Sequence, residues 1–181
     1  MPPCPADRRG LLRAAVGIGL ALRAPAGFSA VAPAVAPAVR PAPAALLTLS
    51  GRLERPDHGH EAAFDRARLL ALPQTSFSTR TPWWADPRRF TGPLLRDVLG
   101  AVGASGRTLR LGSLAPDHQD MPFDDALQYG VVVAHRLDGR AMTLRDKGPL
   151  LLMYPFDAQP ELHSAVYYGR STWHLQTIEV R

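Results

Sequence analysis

The chain has 181 residues, 46% hydrophobic and 20% charged, which gives one domain with a sizeable core once a leader of about forty residues is set aside. Its formal net charge of +5 sits mostly in that leader: residues 1–45 hold five arginines and one aspartate, leaving 16 cations against 15 anions over residues 46–181. A body so near neutrality carries no nucleic-acid footprint, and the single cysteine, Cys4, precedes the apolar run, so the exported chain is expected to have no thiol for a disulfide or a metal.

Residues 1–30 read as an export signal. Arg8-Arg9 and Arg13 precede the short apolar run Ala14 to Leu22, too short for a stable membrane anchor. The paired arginines resemble a twin-arginine signal, with a general secretory signal as the alternative. The expected location is therefore periplasmic. Residues 31–45, an alanine-proline-valine tract, read as a tether or a processed spacer.

Leu46 to Leu53 alternates apolar and polar residues and is expected to be the first strand. Asp57, His58, His60 and Glu61 crowd one turn, but a His-x-His pair without a third ligand at a recognisable spacing is a weak metal signal, and the segment reads as a solvated loop. Asp65 is expected to cap a short helix from Arg66 to Leu72, stopped by Pro73. Gln74 to Thr81 alternates again and should be a strand that delivers Trp83 and Trp84 onto an exit loop. Two large rings beside Arg80, Arg88 and Arg89 suit a flat, anionic ligand; equally, both rings could be core anchors.

Thr91 reads as the N-cap of a helix with Pro93 in its first turn and Leu94, Leu95, Val98, Leu99 and Val102 on one buried face. Gly103 and Gly106 end it, and Thr108 to Leu111 is a further strand. Asp117 to Asp120, with His118 inside, reads as a turn; Asp124 is placed to cap a brief helix through Ala126 to Tyr129. Val131 to Ala134 and Leu150 to Tyr154 are apolar throughout, as strands buried on both faces would be. Asp138-Gly139 marks a hairpin. Lys147, the sole lysine, could hold a phosphate at a sheet edge or simply occupy a solvated turn. Phe156 to Arg170 reads as a loop and Ser171 to Val180 as the closing strand. Many strands with few short helices indicate an α+β domain with a mixed β-sheet.

Several of these stretches together resemble a known family. Phe90-Thr91-Gly92-Pro93-Leu94-Leu95-Arg96-Asp97-Val98-Leu99, Met121-Pro122 with Asp125, Val133-Ala134-His135-Arg136-Leu137-Asp138-Gly139, Arg145-Asp146-Lys147-Gly148-Pro149-Leu150 through Tyr154-Pro155, and Trp173-His174-Leu175 are similar to blocks of the molybdopterin-binding domain of the sulfite oxidase and periplasmic methionine sulfoxide reductase type. The resemblance spans residues 46–181 and implies that fold, with a molybdenum cofactor in its cleft. It also implies a cysteine ligand to molybdenum near Thr79 or Arg80, and this chain has none there. A threonine hydroxyl stays protonated and is a poor ligand beside dithiolene sulfurs.

The expected cofactor-binding residues are Thr79, Arg80, Trp83, Trp84, His118, Lys147 and Arg170, with no metal ligand and no catalytic residue assigned. Three functions fit this pattern. The first is a ligand-binding or accessory module without molybdenum redox chemistry. The second is an oxidoreductase that holds the molybdenum cofactor by pterin and phosphate contacts alone. The third is a structural or interaction module whose cleft has closed. The partners implied are a small anionic ligand or a pterin, and a membrane or periplasmic redox or sensor protein.

Overall fold

The computed structural model describes residues 44–181. The expected export signal and nearly all of the expected linker lie outside the described residues, among which no helix is long and apolar enough to cross a membrane. The architecture is α+β: three sheets and four short helices.

Alternation builds the largest sheet. In β1 (Leu47–Gly51) Leu47 and Leu49 are fully buried, while Thr48 and Ser50 between them are half-buried. β1 pairs in parallel with β11 (Leu175–Val180) and antiparallel with β2 (Glu61–Phe64), whose Ala62 and Phe64 face the same core. Beyond β11 lie β5 (Thr108–Ser113) and β6 (His118–Pro122), both antiparallel, giving the order β2-β1-β11-β5-β6. A second, antiparallel sheet runs β3 (Gln74–Thr81), β4 (Trp84–Pro93), β8 (Arg136–Leu137) and β9 (Arg140–Ala141). Its β8–β9 hairpin turns at Asp138 and Gly139, with φ of 49° and 79°, the pair of left-handed residues that a tight two-residue turn requires.

Between these sheets lies the ribbon β7 (Val132–Ala134) and β10 (Leu151–Met153), every residue of which is buried. Its backbone groups cannot reach water, so other segments must supply partners. On the β4 side, His135 N–H donates to Thr91 O at 3.0 Å and Leu95 N–H to Val131 O at 2.8 Å. On the other side, Leu152 N–H donates to Thr172 O and Leu175 N–H to Leu150 O, both at 3.0 Å. Gly92 makes the first of these contacts possible: a Cβ there would run into the Val133 carbonyl.

Asp65 caps α1 (Arg66–Ala71) as expected, its side chain accepting from Arg68 N–H at 2.7 Å. The next helix departs from the sequence reading. β4 continues through Pro93, and α2 (Leu95–Ala101) begins after Leu94 without a side-chain cap. Thr91, expected at the cap, is held in the strand between Ser76 and Arg136, with its Oγ1 2.7 Å from Ser76 Oγ. Strand pairing on both sides overrides the local capping signal. The apolar face was read correctly, since Leu95, Val98, Leu99 and Val102 are buried.

Three further segments differ from the sequence reading. His118 to Asp120 is not a turn but the start of β6, paired with β5. α3 (Phe123–Gln128) starts ahead of Asp124, with Asp124 and Asp125 in its first turn. The expected loop before Arg170 contains α4 (Ala165–Arg170), and the closing strand begins at Leu175 because Ser171 to His174 first crosses beside β10, with His174 at φ 52°.

Gly92→Ala should lower stability by about 3 kcal/mol or more, because backbone on both sides must shift to admit the methyl group. Urea unfolding of this variant beside Gly100→Ala, where added volume meets nothing, checks the expectation.

Candidate ligand cleft

Trp83 lies with Pro82 in the turn between β3 and β4 and stands at the centre of a ring cluster. It meets Trp173 edge-on at 5.4 Å and 86°, Tyr168 at 6.1 Å, Trp84 at 6.3 Å and Phe156 at 6.3 Å. T-shaped contacts of this kind add about 0.5–1.5 kcal/mol each beyond area burial, and they fix the rings. A cleft of about 370 Å³ opens beside Trp83. Its walls include Trp173, Tyr168, Ser113, Asp117, His118 and His174.

The segment Ser171 to His174 forms one wall because Thr172 O and Leu175 N–H are bonded to β10. His174, in the left-handed region, donates its N–H to Lys147 O at 2.9 Å and turns Nδ1 to Gly148 O. Lys147, also left-handed at φ 67°, returns the contact by placing Nζ 3.6 Å from the Trp173 ring centroid and 5.3 Å from that of Trp84. A cation at that distance is worth roughly 0.5–2 kcal/mol. Trp173 is thus clamped, yet its indole Nε1 is buried and has no hydrogen-bond partner among the described residues. A buried indole N–H normally finds an acceptor.

The anticipated site residues separate into groups. Trp83 and His118 line the cleft. Trp84 and Lys147 stand behind it, Trp84 against Phe90 at 5.8 Å and Lys147 over Trp173. Thr79, one of the two positions where the resemblance would put a cysteine, is fully buried; its hydroxyl accepts the Asp157 N–H at 3.0 Å and donates to Arg80 O at 3.3 Å. Arg80 lies outside the cleft beside Asp157. Arg170 turns the other way, its guanidinium 2.8 Å from Asp125 Oδ2.

That last pair belongs to a buried network. Asp125, 6% exposed, also accepts from Tyr154 O–H at 2.8 Å, and Tyr154 is fully buried. Burial, then the hydrogen bond to Asp125, pushes the Tyr154 phenol far above its ordinary range. Tyr167 O–H donates to Tyr129 at 3.1 Å, and that bond chiefly pushes Tyr129 up to about 12. The network seats α4 and thereby Tyr168.

The His-x-His segment resolves differently. The Asp57 carboxylate bonds the Arg68 guanidinium and the Ala63 N–H, and the guanidinium holds the carboxyl below its usual range. Among the described residues no three His, Cys, Asp or Glu side chains are grouped to hold a metal ion.

Trp173, His174 and Tyr168 are the cleft residues that sequence reasoning did not single out as binding groups. Trp173-His174 carried a family signal, but nothing in the one-dimensional pattern marks His174 as left-handed. Comparison with known proteins finds no matching family model and no matching curated protein.

The donors do not fit a molybdenum cofactor. No thiol occurs in residues 44–181, and no lysine or arginine lines the cleft to hold a phosphate. The anionic ligand expected beside the tryptophans rested on Arg80, Arg88 and Arg89, with Lys147 and Arg170; none of these lines the cleft, and Arg88 pairs with Asp138, Lys147 lies over Trp173 and Arg170 turns to Asp125.

Asp125→Ala would strand Tyr154 O–H and the Arg170 guanidinium in the interior and should cost about 3–5 kcal/mol, measured by denaturant unfolding. A pH effect should come from His135, 5% exposed, with Nε2 2.9 Å from Gln74 Oε1 and Nδ1 unpartnered. Burial, then the Arg136 and Arg66 charges, push its pKa down. Its native form is neutral, so the unfolded state binds the proton first. Stability should be complete above the unfolded value, about 6.5, and fall as pH drops below it toward the lowered native value. Unfolding midpoints at pH 7.5 and 5.5 should differ more in the natural protein than in His135→Gln.

Proposed function

We propose that residues 46–181 form an exported ligand-binding or accessory module, built on a molybdopterin-binding fold of the sulfite oxidase type but without molybdenum chemistry of its own. Its cleft takes a flat, hydrogen-bonding heterocycle without strong negative charge. The observation that carries this reading is the cleft's lining: the Trp83 and Trp173 rings, Tyr168, and neither thiol nor fixed cation. Trp83 and Trp173 offer apolar walls against which a flat ring can pack. Ser113, Asp117 and His118 supply further polar contacts along the rim. An open volume of about 370 Å³ favours binding over a purely structural role for the tryptophans. The resemblance of the ordered blocks, the apolar run behind Arg8-Arg9 and the cysteine-free body support the remaining parts of the proposal.

Protein exported by a host that makes the molybdenum cofactor is assayed for molybdenum by elemental analysis and for pterin by oxidative fluorescence. Substoichiometric molybdenum is the expected result; one molybdenum per chain would overturn the reading. Titration with 6-hydroxymethylpterin, which lacks the phosphate, should quench tryptophan fluorescence saturably. Trp173→Leu removes the ring face from the cleft wall, so affinity should fall roughly three- to tenfold, the worth of one aromatic contact.

A further inference from the structure

A second hollow, of about 300 Å³, lies beyond Tyr168 and is lined by Arg80, Thr81, Pro82, His163 and Tyr168. Three segments meet there: the end of β3, the 3-10 turn Phe156–Ala158, and the approach to α4. Asp157 ties them together. Its N–H donates to the buried Thr79 hydroxyl, which pins the turn to β3. One carboxylate oxygen accepts the Arg80 N–H at 3.0 Å and lies 3.9 Å from the Arg80 guanidinium. The other lies 3.5 Å from His163 Nε2. Across that ring, Nδ1 is 3.1 Å from the Tyr168 hydroxyl. A buried anchor therefore fixes the turn that carries this carboxylate, which stands 3.9 Å from a guanidinium and 3.5 Å from an imidazole, with a phenol on the far side of the imidazole.

The donors this arrangement leaves open define what it can bind. The Arg80 side chain is 73% exposed, and its one carboxylate neighbour among the described residues, Asp157, stands beyond hydrogen-bond length from the guanidinium. Its fork of N–H groups is available for a planar, two-oxygen acceptor. When both ring nitrogens of His163 carry protons, Nε2–H faces Asp157 and Nδ1–H donates to the Tyr168 oxygen, which frees the Tyr168 O–H to donate to an anion in the hollow. Pro82 and the Tyr168 ring add an apolar wall.

Charge selects among anions. Asp157 already offsets part of the Arg80 charge, so a monoanion is accommodated and a dianion is opposed by the neighbouring carboxylate. We propose that this hollow binds the carboxylate of a small organic acid, with Arg80 as the two-point donor, Tyr168 O–H as the second donor, and Asp157 as the positioning residue. It is separate from the tryptophan cleft. Both hollows touch Tyr168, whose ring stands between them, edge-on to Trp83 at 6.1 Å.

The test is calorimetric titration of the purified exported chain with benzoate, beside acetate and inorganic phosphate. Benzoate should bind saturably, and phosphate at least roughly tenfold more weakly. Arg80→Gln should weaken benzoate about tenfold, and Tyr168→Phe, which keeps the ring, about three- to tenfold. Arg145→Gln, which removes an exposed arginine lining neither hollow, should change nothing and controls for net charge. Benzoate and 6-hydroxymethylpterin should bind without displacing one another. Benzoate affinity equal in Arg80→Gln and the natural protein, absence of benzoate binding, displacement by the pterin, or tighter binding of phosphate would each overturn the proposal. Loss of pterin binding with benzoate binding intact would count against the cleft reading alone.

Discussion

The demand that a fully buried ribbon satisfy its own backbone governs this structure. β7 and β10 contain no residue open to water, so each N–H and C=O along their outer edges must meet a partner in the protein. β4 answers on one side, at the price of a glycine at position 92, where any side chain would strike the Val133 carbonyl. The Thr172 to Leu175 segment answers on the other. Because that second answer must come from chain that has not yet entered β11, Trp173 and His174 are carried across the ribbon's flank. The cleft exists where they cross.

Two clamps then hold the crossing. Lys147 and His174 grip one another through backbone and ring contacts, with the lysine charge laid over Trp173. Asp125, Tyr154 and Arg170 hold α4 from the interior, and α4 presents Tyr168 to both hollows. Each clamp consumes a cation that a phosphate-bearing ligand would have needed. The same side chains cannot serve both purposes. The lack of lysine and arginine along the cleft is therefore a consequence of how the fold is fastened.

The two hollows differ in the same terms. Beside Trp83 the walls are ring faces with Ser113, Asp117 and His118. Beyond Tyr168 they include the exposed Arg80, whose guanidinium stands 3.9 Å from the Asp157 carboxylate. A single phenol ring separates a cleft without lysine or arginine from a hollow that has an arginine.

Much of the fold was legible in the residue pattern. Alternation marked β1 and β3, unbroken apolar runs marked β7 and β10, Asp138-Gly139 marked the hairpin, and Leu95, Val98, Leu99 and Val102 marked the buried face of α2. These signals are local, carried by period and turn chemistry within a few residues. The misplaced start of α2 and the strand at His118 depended on partners far away in sequence, which overrode local preference. The site followed the same division. The sequence determined that two tryptophans and several cations would lie near one sheet end, and that residues 44–181 would lack a thiol. Only tertiary structure decided that Thr79 would spend its hydroxyl on Asp157, that Arg170 would turn to Asp125, and that Trp173 rather than Trp84 would face the cleft with Trp83. The physical reason is that a side chain's chemical type is written in one position, whereas its direction is set by backbone partners contributed from elsewhere.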